Sequence, residues 1–414
     1  MPQSQPLAPI SVRIGFVVEL ARRLHEYGTA APRLEDVVNR VSERLALGCN
    51  VLSTPTSIVM SFTDPAREDE LADLTQVVRV PPGEVNLKRL CQVDEIGDQV
   101  VSGALDLAAG RRRLREFGKR GRSGAWHALM VASYGVSAGC IAAIFHTGLA
   151  GVLASALIGL VIGLINYAAI GRPNIAAASE ALSALVATFG ATALAVHLTP
   201  LSVRSVVIAS LIVLMPGMSL TTAVRELSSQ HLVSGTARMM GALATLLKLA
   251  FGTVLATQLC NLVGWVPSAG PADTLPAWVE WIAVPAGACA FAVLFGSPLR
   301  YLGVVVASVT GGFLCAQLGG MYVSPAFGVF VGGLVIGAGA NVFARVTDRP
   351  GALVREPGIV LLVPGSVGFR SLSFVFERDV ILGLDTAITL VTLLVAIVAG
   401  LLFGDLLVPP RRKL

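Results

Sequence analysis

The sequence predicts a mainly α protein: a polytopic helical membrane bundle of about ten spans behind a small α+β N-terminal soluble domain. Three observations predict it. Hydrophobic residues make up 54% of the 414-residue chain and charged residues only 14%, against roughly 25% charged in an ordinary soluble protein. Mean hydropathy is +0.74. The charge is uneven, with residues 1–124 reading as soluble and the remainder as a succession of apolar stretches.

The opening residues are Pro-rich and followed by Arg13, Glu19, Arg22 and Arg23, charges that the core of a cleavable signal peptide does not tolerate. Ile14, Val17, Val18, Ala21 and Leu24 form one helical stripe over 11–27, stopped by Gly28. Leu34, Val37, Val38, Val41 and Leu45 do the same over 32–47, with Gly48 as the stop. β-Branched runs at Val51–Leu52, Ser57–Phe62 and Thr75–Val80 read as strands, punctuated by Pro55 and by Pro81-Pro82-Gly83. Asn86 caps a helix to about Val101, and another fills 103–117. His25 and Cys49 have no evident partner here, and Ser53, Thr54, Thr56 and Ser57 read as turn chemistry. Assembly or regulation suits this domain better than catalysis.

Arg111, Arg112, Arg113, Arg115, Lys119, Arg120 and Arg122 precede the first apolar stretch, with Glu116 the one acid among them. Such a cluster anchors a juxtamembrane segment to anionic lipid at about 1 kcal/mol per basic residue. A span needs about 20 mostly apolar residues. Ten qualify: 126–145, 148–170, 175–198, 202–219, 236–260, 277–296, 301–318, 323–344, 352–369 and 380–408, the ninth weakened by Arg355 and Glu356. With the N-terminus inside, the inner loops carry Arg172, Arg225, Arg238, Arg300, Arg345 and Arg349, and the tail Arg411, Arg412 and Lys413. The outer loops hold only Arg204, Arg370 and Arg378, and the 261–276 loop holds Asp273 with no cation. This asymmetry favours ten spans with both termini in the cytoplasm; the plasma (inner) membrane is the expected location. The asymmetry also explains the net charge of +5 without nucleic acid. The six cysteines show no CxxC spacing, so neither a disulfide framework nor a zinc site is expected.

A weak self-similarity organises the spans. Leu211-Ile212-Val213-Leu214-Met215-Pro216-Gly217 resembles Ile359-Val360-Leu361-Leu362-Val363-Pro364-Gly365 at an offset of 148 residues, which also aligns Gly235 with Gly383 and Gly252 with Gly400. Two five-span repeats follow, over 125–260 and 261–414, with residues 1–124 as a cytoplasmic α+β domain. Because five is odd, the repeats are inverted, a recurring build of secondary transporters whose site lies at the repeat interface. Proline removes a backbone donor, so Pro216-Gly217 and Pro364-Gly365 either break spans 4 and 9, exposing N–H groups to a carboxylate, or mark ordinary kinks or span ends.

Polar residues inside spans are costly and usually functional. Lys248 lies about 12 residues from either end of its span, and Glu180 sits on a small, polar face with Ser183, Ala184, Ala187, Thr188 and Ala191. Glu180 can bind a substrate ammonium or carry a proton and pair with Lys248 between cycles. Asn166 and Asn341, then Gln258, Gln317 and Asp385, are secondary candidates. Gly135-Val136-Ser137-Ala138-Gly139 matches G-x-S-x-G but lies in an apolar helix, where, like Gly159/Gly163 and Gly333/Gly337, it reads as helix packing. His25, His127, His146, His197 and His231 assemble no nucleophile–base set, so the chain is not expected to be an enzyme, and no cofactor or metal is expected.

Glu19…Tyr27-Gly28-Thr29…Leu34-Glu35, the segment Leu52-Ser53-Thr54-Pro55-Thr56-Ser57-Ile58, the basic entry to span 1 and the two Pro-Gly spans together resemble the bacterial threonine/serine exporters in their fused form, over nearly the whole chain. The resemblance implies proton-driven export of threonine and serine, an antiporter working by alternating access. Split two-chain relatives are associated with dicarboxylate export, which stays open as an alternative, as does a channel or scaffold. The expected partners are a small amino acid, protons and the bilayer, with a homo-oligomer left open.

Overall fold

The computed structural model describes residues 8–64, 74–117, 123–267 and 274–410. Lys119, Arg120, Arg122, Asp273, Arg411, Arg412 and Lys413, named above for their charge, lie outside the described residues. In the N-terminal part, α1 (Ile10–Glu26) buries Ile14, Val17, Ala21 and Leu24 of its predicted stripe, with Phe16 and Leu20 added and Val18 only half-buried. α2 (Ala31–Arg44) buries Leu34, Val37, Val38 and Val41. It ends earlier than Gly48 suggested. Ala46 takes the left-handed conformation (φ 52°), and the Leu47 N–H donates to Ser42 O (2.9 Å), closing the helix with a Schellman-type turn. Gly48 instead begins a strand.

Strands β1 (Gly48–Thr54), β2 (Ser57–Thr63) and β3 (Leu74–Arg79) form an antiparallel meander in the order β1-β2-β3. Pro55 and Thr56 make the tight turn, and Thr54 Oγ1 accepts the Ser57 N–H (3.0 Å). Alternation on β2 aims Ile58, Met60 and Phe62 into the core. α3 (Leu87–Val101) starts where expected, with Asn86 Oδ1 accepting the Arg89 N–H (3.1 Å). α4 (Leu107–Phe117) starts later than expected, because Asp106 accepts the Ala108 N–H (3.0 Å).

The rest is helical: α5 (Gly124–Ile144), α6 (Leu149–Ala169), α7 (Pro173–His197), α8 (Val203–Leu211), α9 (Gly217–Ser228), α10 (Leu232–Leu262), α11 (Trp278–Leu294), α12 (Leu302–Tyr322), α13 (Pro325–Thr347), α14 (Ala352–Gly358), α15 (Gly365–Phe376) and α16 (Val380–Leu407). Among the described residues seven helices are long and apolar enough to cross a membrane, and eight if α8 and α9, bent by 57° at their break, count as one. The other two expected spans differ in kind. α11 has 17 residues, and 352–369 is split into α14 and α15 where Pro364 interrupts the chain. The glycine pairs pack as their spacing suggests: Gly159 and Gly163 against Val131, Tyr134 and Gly135 of α5, and Gly333 and Gly337 against α16. Ser137 donates to its own helix at Tyr134 O (3.0 Å).

The 148-residue offset recurs in backbone detail. Pro216 (φ −80°, ψ 38°) matches Pro364 (φ −83°, ψ 43°). Gln230 and Arg378 both adopt positive φ, 65° and 68°. Both end their helices with the same bond, from His231 N–H to Glu226 O and from Asp379 N–H to Phe374 O, each 2.9 Å. Helices α10 and α16 then start at equivalent positions.

The N-terminal part docks on three turns of the bundle. Leu87 and Lys88 N–H groups donate to Phe295 O and Gly296 O (2.9 and 3.0 Å), Arg349 pairs with Glu95 (2.9 Å), and Glu226 accepts from the Ala31 N–H (3.1 Å). Leu353, fully buried, joins the N-terminal core. The end of α16 reaches the same face through Arg345, which donates to Pro409 O (2.6 Å).

Gly217 and Gly365 pass each other closely. A Cβ on either would stand 3.1 Å from the Cα and N of the other, tighter than most real Cβ contacts, and one on Gly217 would also collide with the Val363 side chain, whereas one on Gly339 meets nothing within 4 Å. Gly217→Val should therefore destabilise the detergent-solubilised protein by about 1–3 kcal/mol, seen as a fall of several degrees in melting temperature, with Gly339→Ala unchanged.

Candidate functional site

The two Pro-Gly breaks meet each other. At each, the glycine N–H turns back to the carbonyl two residues earlier, Gly217 to Met215 O (2.8 Å) and Gly365 to Val363 O (2.9 Å). Each helix then restarts with Leu220 N–H to Pro216 O (2.9 Å) and Gly368 N–H to Pro364 O (3.2 Å). A helix start leaves its first-turn N–H groups without intrahelical acceptors. Here Met218 and Ser219 on α9, and Ser366 and Val367 on α15, occupy those positions. The positive ends of two helix dipoles thus converge on one point, with Met215 and Val363 packed around it.

Glu180 and Lys248 are also brought together: Lys248 Nζ donates to Glu180 Oε2 at 3.1 Å, and Ser179 Oγ lies 3.5 Å from the same oxygen. Lys248 lies near the middle of the long α10, as its sequence count expects. α10 begins at Leu232 and spends its first turns, with Ser234 and Arg238, on contacts at the N-terminal face. Lys248 consequently lies level with the second turn of α7, where Gly252 lets α10 approach the Ala181 carbonyl. The pair lies on an outer face, with side-chain exposures of 40% and 22% and Leu182, Leu243, Leu247 and Phe251 exposed around it.

The other sequence candidates divide. Asn341 is buried at the centre of a three-helix knot. Its Nδ2 donates to Asp405 Oδ1 and Val408 O (both 2.7 Å), and Arg355 donates to Asp405 Oδ1 (2.7 Å) and Asn341 Oδ1 (3.2 Å). That knot explains how Arg355 is accommodated at the start of the ninth apolar stretch. Asn166 only donates to Ile162 O of its own helix (3.0 Å) and joins no site. Gln317 donates to Glu280 (3.4 Å), which also faces His146 (3.7 Å). Gln258 and Asp385 stand at exposed positions.

Sequence reasoning missed Glu226. It is fully buried and accepts four bonds: from Ala31 N–H (3.1 Å), Ser234 Oγ (2.9 Å), and Arg238 Nε and Nη2 (both 3.1 Å). The nearby turn adds His231 Nε2, 3.2 Å from Glu35 Oε2, while Glu35 Oε1 accepts the Ser53 N–H (2.8 Å). His25, which had no evident partner, lies 3.2 Å from both Pro55 O and Pro81 O. The motif residue Glu35 therefore reaches across the seam to the bundle through His231, held by the Ser53 amide, while Pro55 faces His25 within the N-terminal part. Spacing gave no signal for Glu226: it stands 12 residues from Arg238, and their meeting depends on the α9–α10 hairpin.

A threonine/serine exporter family model matches residues 15–260, and a second model, Threonine/Serine exporter, ThrE, matches residues 280–407. Among curated proteins the chain is similar to Pheromone-regulated membrane protein 10 of Eremothecium gossypii, 26% identical over 88% of this chain and 50% of that protein. The protein of that name in Saccharomyces cerevisiae is 24% identical over 93% of this chain and 49% of its own length. In Candida albicans it is 24% identical over 92% and 34%. The chain thus spans about half the length of these relatives, or less. No solved structure matches it.

Two outcomes test the seam. Glu226→Ala leaves the partly buried Arg238 guanidinium and the buried Ala31 N–H without their acceptor, costing about 1–3 kcal/mol, and limited proteolysis should then cleave between the N-terminal part and the bundle. Burial also holds His25 below its ordinary imidazole range, opposed by the Pro81 and Pro55 carbonyls. A depressed folded value means this contribution is present above about pH 6.5 and is lost as pH falls below it. Melting curves from pH 7.5 to 5 should show that loss, with His25→Gln flattening the slope.

Proposed function

The chain belongs to the threonine/serine exporter family, and on that premise we propose that it is a proton-coupled secondary transporter exporting small amino acids, threonine and serine foremost. The single observation that carries the mechanism is the meeting of the two Pro-Gly helix starts. Two helix N-termini facing one point oppose each other electrostatically, and an amino-acid carboxylate there relieves that opposition while accepting otherwise unused N–H groups. Pro216, Gly217, Pro364 and Gly365 form this carboxylate site, and the residues around it move apart during alternating access.

The proposed architecture is two inverted five-span repeats, 125–260 and 261–414, behind a cytoplasmic domain of residues 1–124. The reciprocal glycine contact, the matched proline angles and the paired helix ends at one offset support it. An even span count is supported by the N-terminal part and the end of α16 sharing one face. Arg225, Arg238, Arg300, Arg345 and Arg349 lie in turns or helix ends on that face, which favours a plasma-membrane orientation with both termini cytoplasmic.

In this reading Glu180 carries the coupling proton and pairs with Lys248 between cycles, Lys248 Nζ donating to its Oε2 at 3.1 Å; a proton on Glu180 ends that ion pair. Asn341 steadies α13 against α16, and Asn166 has a packing role. The exposed apolar rim around the pair leaves a homo-oligomer open.

Labelled threonine uptake into inverted vesicles tests this. Flux should rise at least tenfold under an imposed proton gradient. Glu180→Gln should abolish the gradient-driven part while the protein still inserts normally. Unchanged gradient-driven flux in Glu180→Gln removes the coupling role, gradient-independent equilibration indicates a channel, and transport of labelled malonate but not threonine shifts the substrate to dicarboxylates.

A further inference from the structure

A cavity of about 40 Å³ lies between the N-terminal part and the bundle, lined on one side by Thr29, Ala30 and Arg33 and on the other by Arg225, Arg355 and Glu356. Three arginines and one carboxylate line it, and Arg33 also faces Asp94 (3.5 Å) behind the lining, so the lining itself carries an excess of positive charge. Arg225, half-buried, makes no ion pair among the described residues, and its charge opposes that of Arg355. Arg355 spends its Nη2 on Asp405 and Asn341, but its Nε is buried without an acceptor. Thr29, 7% exposed, has a buried Oγ1 with no partner.

The backbone adds to this. α2 begins here without a side-chain cap. Its Ala31 N–H is taken by Glu226, and Pro32 has no N–H, which leaves the Arg33 amide as the first-turn donor without an intrahelical acceptor. Unsatisfied buried donors and unpaired cations are expensive. A cluster of donors without acceptors, around a space several times that needed for one water, is chemically an acceptor's site.

We propose that this cavity binds a small oxyanion, a carboxylate or phosphate group, bridging Arg33 and Thr29 of the N-terminal part to Arg225 and Arg355 of the bundle. A guanidinium pairs such groups through charge-assisted, commonly bidentate bonds. The bound anion cancels the Arg225–Arg355 repulsion and clamps the N-terminal part to the helices. The site is separate from the Pro-Gly crossing and does not rest on the transport reading. It makes the N-terminal part a sensor whose grip on the bundle depends on an anion.

The test is thermal unfolding of the purified full chain in detergent, with sodium phosphate or sodium malonate added against sodium chloride of equal ionic strength. A further arm places the protein in nanodiscs with and without phosphatidylglycerol. The expected result is a saturable rise in melting temperature of a few degrees with at least one anion, or in the anionic nanodiscs alone if a headgroup is the source. Arg225→Gln should remove that rise and, without anion, melt no lower than the wild type, because it relieves the repulsion. Thr29→Val should weaken the half-saturating concentration severalfold. No rise in any arm overturns the proposal, as does a rise that persists undiminished in both variants.

Discussion

Everything in the bundle is arranged around one steric condition: two backbones must pass with no side chain between them. Gly217 and Gly365 meet that condition reciprocally, and no other residue type could hold both positions without pushing α9 and α15 apart. The prolines before them do the complementary work. Without an N–H, Pro216 and Pro364 cannot continue the preceding helix, so each chain turns, and the following helix restarts with free donors at the crossing. The close approach and the break are therefore one feature with two consequences, a tight pivot and a convergence of positive helix ends.

A second constraint ties that pivot to the N-terminal part. α9 runs from Gly217 at the crossing to Glu226 at the seam within twelve residues. There Glu226 is wrapped by Arg238 of α10, Ser234 and the first amide of α2. Burying a carboxylate fully is tolerable only with this many donors, so the docking of α2 completes the folding of the α9–α10 hairpin. Leu353 of α14 inserts into the N-terminal core as well, and the seam grips the bundle at α9 and at α14.

Much of this was legible in the sequence, and the omissions have physical causes. Stripes such as Leu34, Val37, Val38 and Val41 report burial directly, so the helices of the N-terminal part were readable to within a few residues. Gly48 misled because an alanine took the left-handed position, a local choice made by the Schellman bonds and not by residue type. The Pro-Gly pair and its offset were visible because breaks need particular residues. Glu180 and Lys248 were visible because charge in an apolar run stands out. Glu226 did not stand out: it sits among Arg225, Arg238 and other polar residues at a helix end, and its value comes from an amide 195 positions away.

The polar groups do not obey the 148-residue correspondence, and this bears on how the two faces differ. The positions matching Glu226, Ser234 and Arg238 are Phe374, Leu382 and Thr386, and those matching Glu180 and Lys248 are Gly328 and Ala396. The backbone pivot is common to both halves, while the charged groups belong to one. Arg204 and Glu377, 3.1 Å apart, join α8 to α15 at the far end of the bent α8–α9 rod with an exposed pair, worth little by comparison with the buried seam. The far end is therefore held by a weak contact and the near face by the buried Glu226 cluster. α10, unbroken from Leu232 to Leu262, carries both Arg238 of that cluster and Lys248 of the pair with Glu180. The grip of the N-terminal part and the ion pair of the bundle thus share one helix.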